Sequence, residues 1–172
     1  MGKTVRILGL DPGLRHTGWA VLDSCDSRLT FVGAGVADST DGLSLAERLA
    51  ELHAKIRAVV SEFAPNEAAI EETFVNKNPA STLKLGQARG VVLLAPAESG
   101  IPVFEYTPNQ IKKAVVGAGH AEKHQVDMMV HTLVPAAGKL RPDAADALAA
   151  AICHSYMRVA AARLNALAEL MK

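Results

Sequence analysis

The first 65 residues of the 172-residue chain contain three short strand-like runs followed by one long helical pattern. The runs cover residues 4–10, 18–22 and 29–36, with turn-forming residues between them. Hydrophobic residues then recur at helical spacing over residues 45–63, after Ser44-Leu45-Ala46-Glu47, which is typical of a helix-capping box. This order predicts an antiparallel three-stranded meander and then an amphipathic helix.

The rest of the chain predicts alternating strands and helices. Residues 68–71 and 102–106 have the pattern of short buried strands, and residues 83–94 that of a helix between them. Three further helices are predicted over residues 108–116, over residues 122–134, and from residue 143 towards the C-terminus after a loop over 135–142.

These elements predict an α/β fold with a mixed five-stranded sheet flanked by helices. A mass of 18.1 kDa suits one hydrophobic core, so residues 1–172 are expected to form a single domain. The alanine-rich C-terminal tail after about residue 157 is expected to fray.

Composition excludes several classes of protein. The 18 Lys and Arg residues balance the 18 Asp and Glu residues, which excludes a histone-like basic protein. Charged residues interrupt every apolar stretch before it reaches membrane-spanning length, and the N-terminus does not have the pattern of a signal peptide. We therefore expect a soluble, cytoplasmic protein without a membrane partner. Cys25 and Cys153 are widely spaced, which argues against a disulfide framework or a zinc site.

Two carboxylates follow strands that the topology places side by side. In a meander the first and third strands run in the same direction, so a helical crossover delivers the strand at 68–71 parallel to the first strand. Asp11 and Glu71 then lie together at the carboxyl edge of the sheet, where α/β folds tend to place their sites. Two other interpretations remain: Asp11 is a turn residue in Asp-Pro-Gly, and Glu71 forms a solvated pair with Glu72.

Two more carboxylates lie on the last predicted helix. Asp143 and Asp146 are three residues apart and therefore share one helix face. Asp143 could serve only as a helix cap, worth roughly 0.3–1 kcal/mol through the helix dipole. Asp146 is flanked by small apolar residues, which favours close packing of this helix on the sheet.

If the four carboxylates converge, they require positive charge. Two carboxylates about 4 Å apart repel by roughly 4 kcal/mol at an effective dielectric constant of 20. Hard oxygen ligands without paired Cys or His favour Mg²⁺, with Mn²⁺ as a substitute, over zinc. Two such ions can activate water and stabilise the leaving oxygen of a phosphodiester, so the hypothesis is metal-dependent phosphodiester hydrolysis at Asp11, Glu71, Asp143 and Asp146.

A basic segment could hold nucleic acid. Residues 76–124 contain six basic and three acidic residues, and Phe74 lies just before this segment, where it could stack on bases. The predicted DNA contacts are Phe74, Lys77, Lys84, Arg89, Lys112, Lys113 and Lys123. Solvated lysines, and a core or dimer position for Phe74, remain the alternatives.

Five motifs together resemble one known family. They are Ile7-Leu8-Gly9-Leu10-Asp11-Pro12-Gly13, Ala69-Ile70-Glu71-Glu72, Lys84-Leu85-Gly86-Gln87-Ala88-Arg89-Gly90, Val103-Phe104-Glu105-Tyr106 and Asp143-Ala144-Ala145-Asp146-Ala147-Leu148-Ala149. In this order and at this spacing they resemble the bacterial RuvC crossover-junction endodeoxyribonucleases, over most of residues 7–154.

The resemblance implies a ribonuclease-H-like fold, a homodimer, and Mg²⁺-dependent resolution of Holliday junctions by two symmetric nicks in recombination and repair. It places catalysis on Asp11, Glu71, Asp143 and Asp146, and it matches Phe74, Lys112 and Lys123 to residues that contact DNA. It also implies a RuvA/RuvB-type branch-migration complex as a partner. Pro79 and Pro96 depart from the family pattern, and Pro96 is expected to interrupt a helix.

Two other functions compete with this interpretation. A non-catalytic module could bind four-way junctions and recruit another nuclease. An ATPase domain of the actin and sugar-kinase type also begins with a strand and an Asp-x-Gly turn, but such enzymes use two of these domains, and no second strand-turn of this kind follows here.

Overall fold

The computed structural model describes residues 3–72 and 78–171. Strands β1 (Val5–Asp11), β2 (His16–Cys25) and β3 (Arg28–Asp38) form the predicted antiparallel meander. β2 and β3 are longer than the apolar runs that predicted them. Their backbone pairing continues through polar residues to the tight turn at Asp26, which has a φ of +51°.

A helical crossover follows the meander. Helix α1 (Leu45–Phe63) begins at the predicted capping box: the Ser44 hydroxyl accepts from the Glu47 backbone N–H, and the Glu47 carboxylate accepts from the Ser44 backbone N–H. Strand β4 (Glu67–Glu71) then pairs with β1 in parallel, and β5 (Val103–Tyr106) pairs with β4 in parallel. The sheet is therefore mixed, with the order β3-β2-β1-β4-β5.

Helix α2 (Pro79–Glu98) is longer at both ends than the helix predicted from the sequence. It begins four residues before the predicted 83–94 because the Asn78 side chain caps the backbone N–H groups of Ala80 and Ser81. It also continues through Pro96, which was expected to interrupt it. Pro96 lies in the last turn and is buried, so the helix loses one backbone hydrogen bond there and still reaches Glu98.

The remaining helices lie where the sequence predicts them. Helix α3 (Pro108–Val116) is capped by Thr107 and ends at Gly117, whose φ is +88°. Helix α4 (Lys123–Leu133) follows, and the expected loop at 135–142 contains a short 3₁₀ turn (Pro135–Ala137). Helix α5 (Pro142–Leu170) continues well beyond residue 157, with an exposed C-terminal half.

Two hydrophobic layers cover the two faces of the sheet. On one face, Ile7 and Leu22 pack among residues of α3, α4 and α5. On the other face, Leu8, Leu10 and Ile70 pack against α1 and α2. The central strands are therefore buried on both sides, and their polar residues lie at the strand ends.

Cys25 and Cys153 are not joined by a disulfide bond in the structure. In the described ranges 3–72 and 78–171, each helix is too short or too polar to cross a membrane.

Candidate active site

Asp11 and Glu71 end two neighbouring strands. β1 and β4 are parallel, and Leu10 is in register with Ile70, so the next residue of each strand is one of these carboxylates. Leu10 and Ile70 are fully buried, which brings the two acidic side chains to the boundary of the core. The topology therefore places Asp11 and Glu71 side by side, as the sequence predicts.

Hydrogen bonds between Gly13 and Thr17 hold the loop after Asp11. The Thr17 hydroxyl donates to the Gly13 carbonyl (2.8 Å), and the Gly13 N–H donates back to that hydroxyl (3.3 Å). Thr17 is fully buried, so the loop is held from within the protein. Asp11 is the last residue of β1, and Pro12 and Gly13 belong to the loop that joins β1 to β2. Asp11 is therefore a strand residue.

Helix α5 brings the other two carboxylates to the same edge. Asp143 lies in its first turn and Asp146 one turn later. The N-cap residue is Arg141, which corrects the alternative of Asp143 as the cap.

Two strand glycines that the sequence analysis did not single out allow this close approach of α5. A Cβ atom built on Gly9 would lie 1.9 Å from the Ala147 carbonyl oxygen, and one built on Gly18 would lie 1.9 Å from the Asp143 carbonyl oxygen. Any side chain at either position would push α5 away from the sheet. Glycine inside an apolar strand is the signal that could have identified both residues.

The four carboxylates are electrostatically coupled. Burial raises the pKa of Asp11 to about 8, and the negative charges of Asp146, Glu71 and Asp143 add to this effect. Burial is also the largest cause of the raised pKa of Glu71, followed by the charge of Asp146. The carboxylates therefore face one another closely enough to oppose each other's ionisation.

Two lysines and two of these carboxylates line one cleft. The cleft has a volume of about 260 Å³, and its charged lining consists of Glu71, Lys112, Lys123 and Asp146. The Lys123 ammonium donates to the Asp146 carboxylate, with Nζ and Oδ2 2.9 Å apart. Burial raises the pKa of Asp146, and the contact with Lys123 lowers that pKa in part.

The donor set suits a hard divalent cation. Buried carboxylates that repel one another gain most from a cation, and carboxylate oxygens are the ligands that Mg²⁺ and Mn²⁺ prefer. Within residues 3–72 and 78–171, however, no three His, Cys, Asp or Glu side chains are arranged so that they could hold one metal ion. The four carboxylates would therefore have to move closer together before they could share an ion. Mutual repulsion between the anions opposes their convergence when no cation is present.

The five predicted DNA contacts that lie within the described residues fall into three groups. Lys112 and Lys123 line the cleft, whereas Lys84 and Lys113 are exposed on α2 and α3. Arg89 is mostly buried and forms an ion pair with Glu105 of β5. Phe74 and Lys77 lie outside the described residues.

Sequence reasoning also passed over Asp127 on α4. Its charge raises the pKa of both Lys123 and Asp146, so it lies within electrostatic reach of the cleft. Its spacing of four residues from Lys123 could have indicated this, because such residues share a helix face.

Comparisons with known proteins agree with this geometry. The family model described as Crossover junction endodeoxyribonuclease RuvC matches residues 7–154. The protein of that name from Rhodopseudomonas palustris is 58% identical over 164 residues, which cover 95% of this chain and 94% of the relative. The one from Paramagnetospirillum magneticum is 60% identical over 154 residues, covering 90% and 93%.

Solved structures agree as well. Thermus thermophilus RuvC in complex with a Holliday junction substrate superposes with a TM-score of 0.85 at 33% identity, covering 91% of this chain and 96% of that one. The yeast mitochondrial Holliday junction resolvase, at 14% identity and a TM-score of 0.62, shares the fold. The mixed sheet and its helices thus confirm the predicted ribonuclease-H-like architecture. The chain belongs to the RuvC crossover junction endodeoxyribonuclease family.

Proposed function

We propose that this protein resolves Holliday junctions by hydrolysing one phosphodiester bond in each of two strands, with Asp11, Glu71, Asp143 and Asp146 as its catalytic residues. The observation that carries the proposal is the electrostatic coupling of carboxylates from β1, β4 and α5 at one edge of the sheet. Membership of an endodeoxyribonuclease family supports it, as does the Holliday junction bound by the Thermus thermophilus relative.

The same four side chains would hold Mg²⁺, two ions per site, with Mn²⁺ as a substitute. Such ions supply an activated water and charge stabilisation for the leaving oxygen. Asp11 is central to the site because its pKa responds to all three of the other carboxylates. It would therefore hold and orient the ions without contacting a base.

The basic side chains would hold the substrate backbone. Lys112 and Lys123 line the same cleft as Glu71 and Asp146, which suits a phosphate held by the lysines beside the carboxylates. Lys84, Lys113, Arg89, Lys77 and Phe74 remain proposed contacts of the junction arms and centre. Because Arg89 is already paired with Glu105, contact with DNA would require that ion pair to open or to be shared.

The proposed assembly is a homodimer. One face of α2 is exposed and apolar, with Leu83 at 66% and Leu94 at 47% exposure. Gly86 and Gly90 lie between them with open space where their side chains would be. A two-fold dimer through this face would present two identical sites to two equivalent strands. A cytoplasmic location and a RuvA/RuvB-type branch-migration partner complete the proposal and rest on the family resemblance.

The decisive experiment uses a synthetic four-way junction. In Mg²⁺, the protein is expected to introduce paired nicks at symmetric positions, mapped at nucleotide resolution, and to leave a linear duplex of the same sequence intact. Asp11→Asn should lower the nicking rate at least about 10²-fold while junction binding in a mobility-shift assay persists.

Two results would contradict parts of this proposal. Tight junction binding without any nicking in Mg²⁺ or Mn²⁺ would support the non-catalytic module. Full nicking activity of Asp11→Asn would remove Asp11 from the catalytic set. Asp26→Asn is the matched control, because Asp26 lies at the turn between β2 and β3, at the opposite end of the sheet from Asp11.

A further inference from the structure

Lys123 occupies a position that conflicts with the proposed role of Asp146. Its ammonium donates to Asp146 Oδ2 at 2.9 Å. If Asp146 is to offer its oxygens to a divalent cation, the ammonium and the cation compete for the same carboxylate. Lys123 therefore needs a second acceptor, or it has to leave the cleft as an unpaired charge.

Asp127 supplies an acceptor one helical turn away. It follows Lys123 by four residues on α4, so the two side chains lie on the same face of the helix. Asp127 Oδ1 is shielded from solvent and has no hydrogen-bond partner among residues 3–72 and 78–171. A shielded carboxylate oxygen without a donor is unfavourable, and such an oxygen in a folded protein calls for an explanation.

The charge of Asp127 acts on both Lys123 and Asp146, so Asp127 lies near this ion pair. Asp127 raises the pKa of Lys123, and it also raises the pKa of Asp146. Lys123 is largely exposed and has a long flexible side chain, so rotation about its own bonds is enough to exchange acceptors. No movement of α4 is needed.

We propose that Asp127 is a positioning residue that receives the Lys123 ammonium when Asp146 binds a divalent cation. The inference rests on the proposed function, because it assumes that Asp146 is a metal ligand. The exchange frees Asp146 and keeps a positive charge beside the cleft, where the substrate phosphate has to lie. It also gives Asp127 Oδ1 the donor that it lacks.

A simpler alternative is that Asp127 acts as a fixed negative charge. Any carboxylate near the cleft attracts a cation, whatever Lys123 does. The two models differ in one respect: a fixed charge acts with or without Lys123, whereas a positioning residue acts only through it. A double-mutant cycle separates them.

The experiment measures Mn²⁺ binding to the full chain without DNA by isothermal titration calorimetry. The proteins are the wild type, Asp127→Asn, Lys123→Met and the double variant. We expect Asp127→Asn to weaken Mn²⁺ binding by about threefold to tenfold, because the ammonium then stays on Asp146. In the Lys123→Met background the same substitution should change binding by less than about twofold.

Two further variants serve as controls. Asp127→Glu keeps a carboxylate at this position and should restore Mn²⁺ affinity close to that of the wild type. Glu122→Gln removes an exposed negative charge at the start of the same helix and should leave Mn²⁺ affinity unchanged. Thermal melts followed by circular dichroism establish that each variant is folded.

Each outcome decides between the models. Equal weakening by Asp127→Asn with and without Lys123 would overturn the inference in favour of a fixed charge. Unchanged affinity in Asp127→Asn would also overturn it, while the proposed metal site would stand. If Asp11→Asn leaves Mn²⁺ binding unchanged, the proposed metal site itself fails, and the inference fails with it.

Discussion

Asp11 links the chemistry of the site to the stability of the fold. Its ordinary pKa of 3.8 rises to about 8 because it is buried and because Asp146, Glu71 and Asp143 surround it with negative charge. A carboxyl group whose pKa is raised by folding stabilises the folded state while it is protonated. This contribution is complete below about pH 4 and is lost as the pH rises through about 8.

Asp11→Asn should therefore stabilise the metal-free protein at high pH. The amide has no charge to bury, so the free energy of unfolding at pH 8 should increase by about 1 kcal/mol. The loss of stability between about pH 5 and 8 should also become smaller. Urea denaturation in the presence of a chelator, repeated across this pH range, measures both effects. An identical pH dependence in wild type and variant would contradict the buried, coupled state of Asp11.

Lys112 provides a second test at the level of single residues. It lines the same cleft as Glu71, and its charge opposes the effect of burial on the pKa of Glu71. Lys112→Ala should weaken junction binding and reduce the slope of log affinity against log salt concentration by about 1, as one phosphate contact is lost. Binding measured at several salt concentrations gives the slope.

A control for Lys112 lies at the other end of the sheet. Lys3 lies two residues before the start of β1, whereas the cleft lies beyond the other end of that strand, at Asp11. Lys3→Ala removes the same charge and should leave the salt slope as it is in the wild type. If Lys112→Ala and Lys3→Ala behave alike, Lys112 is not on the path of the DNA.

At the scale of elements, the site depends on how closely α5 lies on β1 and β2. Gly9 and Gly18 leave no room for a Cβ atom beneath the carbonyl oxygens of Ala147 and Asp143. Because Asp143 and Asp146 are part of α5, any displacement of this helix moves both carboxylates relative to Asp11. Strand glycines therefore control the geometry of the site without taking part in its chemistry.

Gly18→Ala is expected to lower both stability and nicking. Overpacking in a well-filled interior costs about 1–3 kcal/mol, and relief of the clash shifts the first turn of α5, which contains Asp143. Urea denaturation and the rate of junction nicking measure the two effects. Gly119→Ala is the control, because the nearest atom to a Cβ there is 3.9 Å away. Wild-type nicking by a destabilised Gly18→Ala variant would contradict the dependence of the site on the position of α5.

The elements also show what the sequence can and cannot predict. The capping box before α1 and the Thr107-Pro108 start of α3 are local signals, and both helices begin where these signals indicate. The parallel pairing of β4 with β1 followed from topology alone. The start of α2 was missed because apolar periodicity begins after its polar first turn, although the cap at Asn78 is visible in the sequence.

The non-local contacts could not be predicted in the same way. The contact between Lys123 and Asp146 joins residues 23 positions apart on two helices. The approach of Ala147 to Gly9 joins residues that are further apart still. Such contacts depend on how α4 and α5 pack on the sheet, and no local pattern specifies that packing.

At the scale of the whole molecule, the proposed active site lies at one edge of the sheet, beside the cleft lined by Glu71 and Asp146. A four-way junction has two equivalent strands to cut, so symmetric nicking needs a second site in a fixed relation to the first. The exposed face of α2 formed by Leu83, Gly86, Gly90 and Leu94 lies on the opposite side of the sheet from α5. Pairing through this face would leave the cleft of each protomer open.

Leu83→Glu is therefore expected to shift the protein from dimer to monomer. A charge buried in a close helix contact has to be desolvated, so the dissociation constant should rise at least about tenfold. Analytical ultracentrifugation over a range of protein concentrations measures this shift. On a four-way junction, the monomeric variant should produce single nicks in place of the paired nicks expected from the dimer.

The control for this prediction changes an equally exposed leucine elsewhere. Leu164 is 67% exposed on the C-terminal half of α5, compared with 66% for Leu83 on α2. Leu164→Glu adds the same charge and removes a similar apolar area, so it tests whether a new surface charge alone alters assembly. If α2 forms the interface, Leu164→Glu stays dimeric while Leu83→Glu dissociates. A dimer that survives Leu83→Glu but not Leu164→Glu would place the interface on α5.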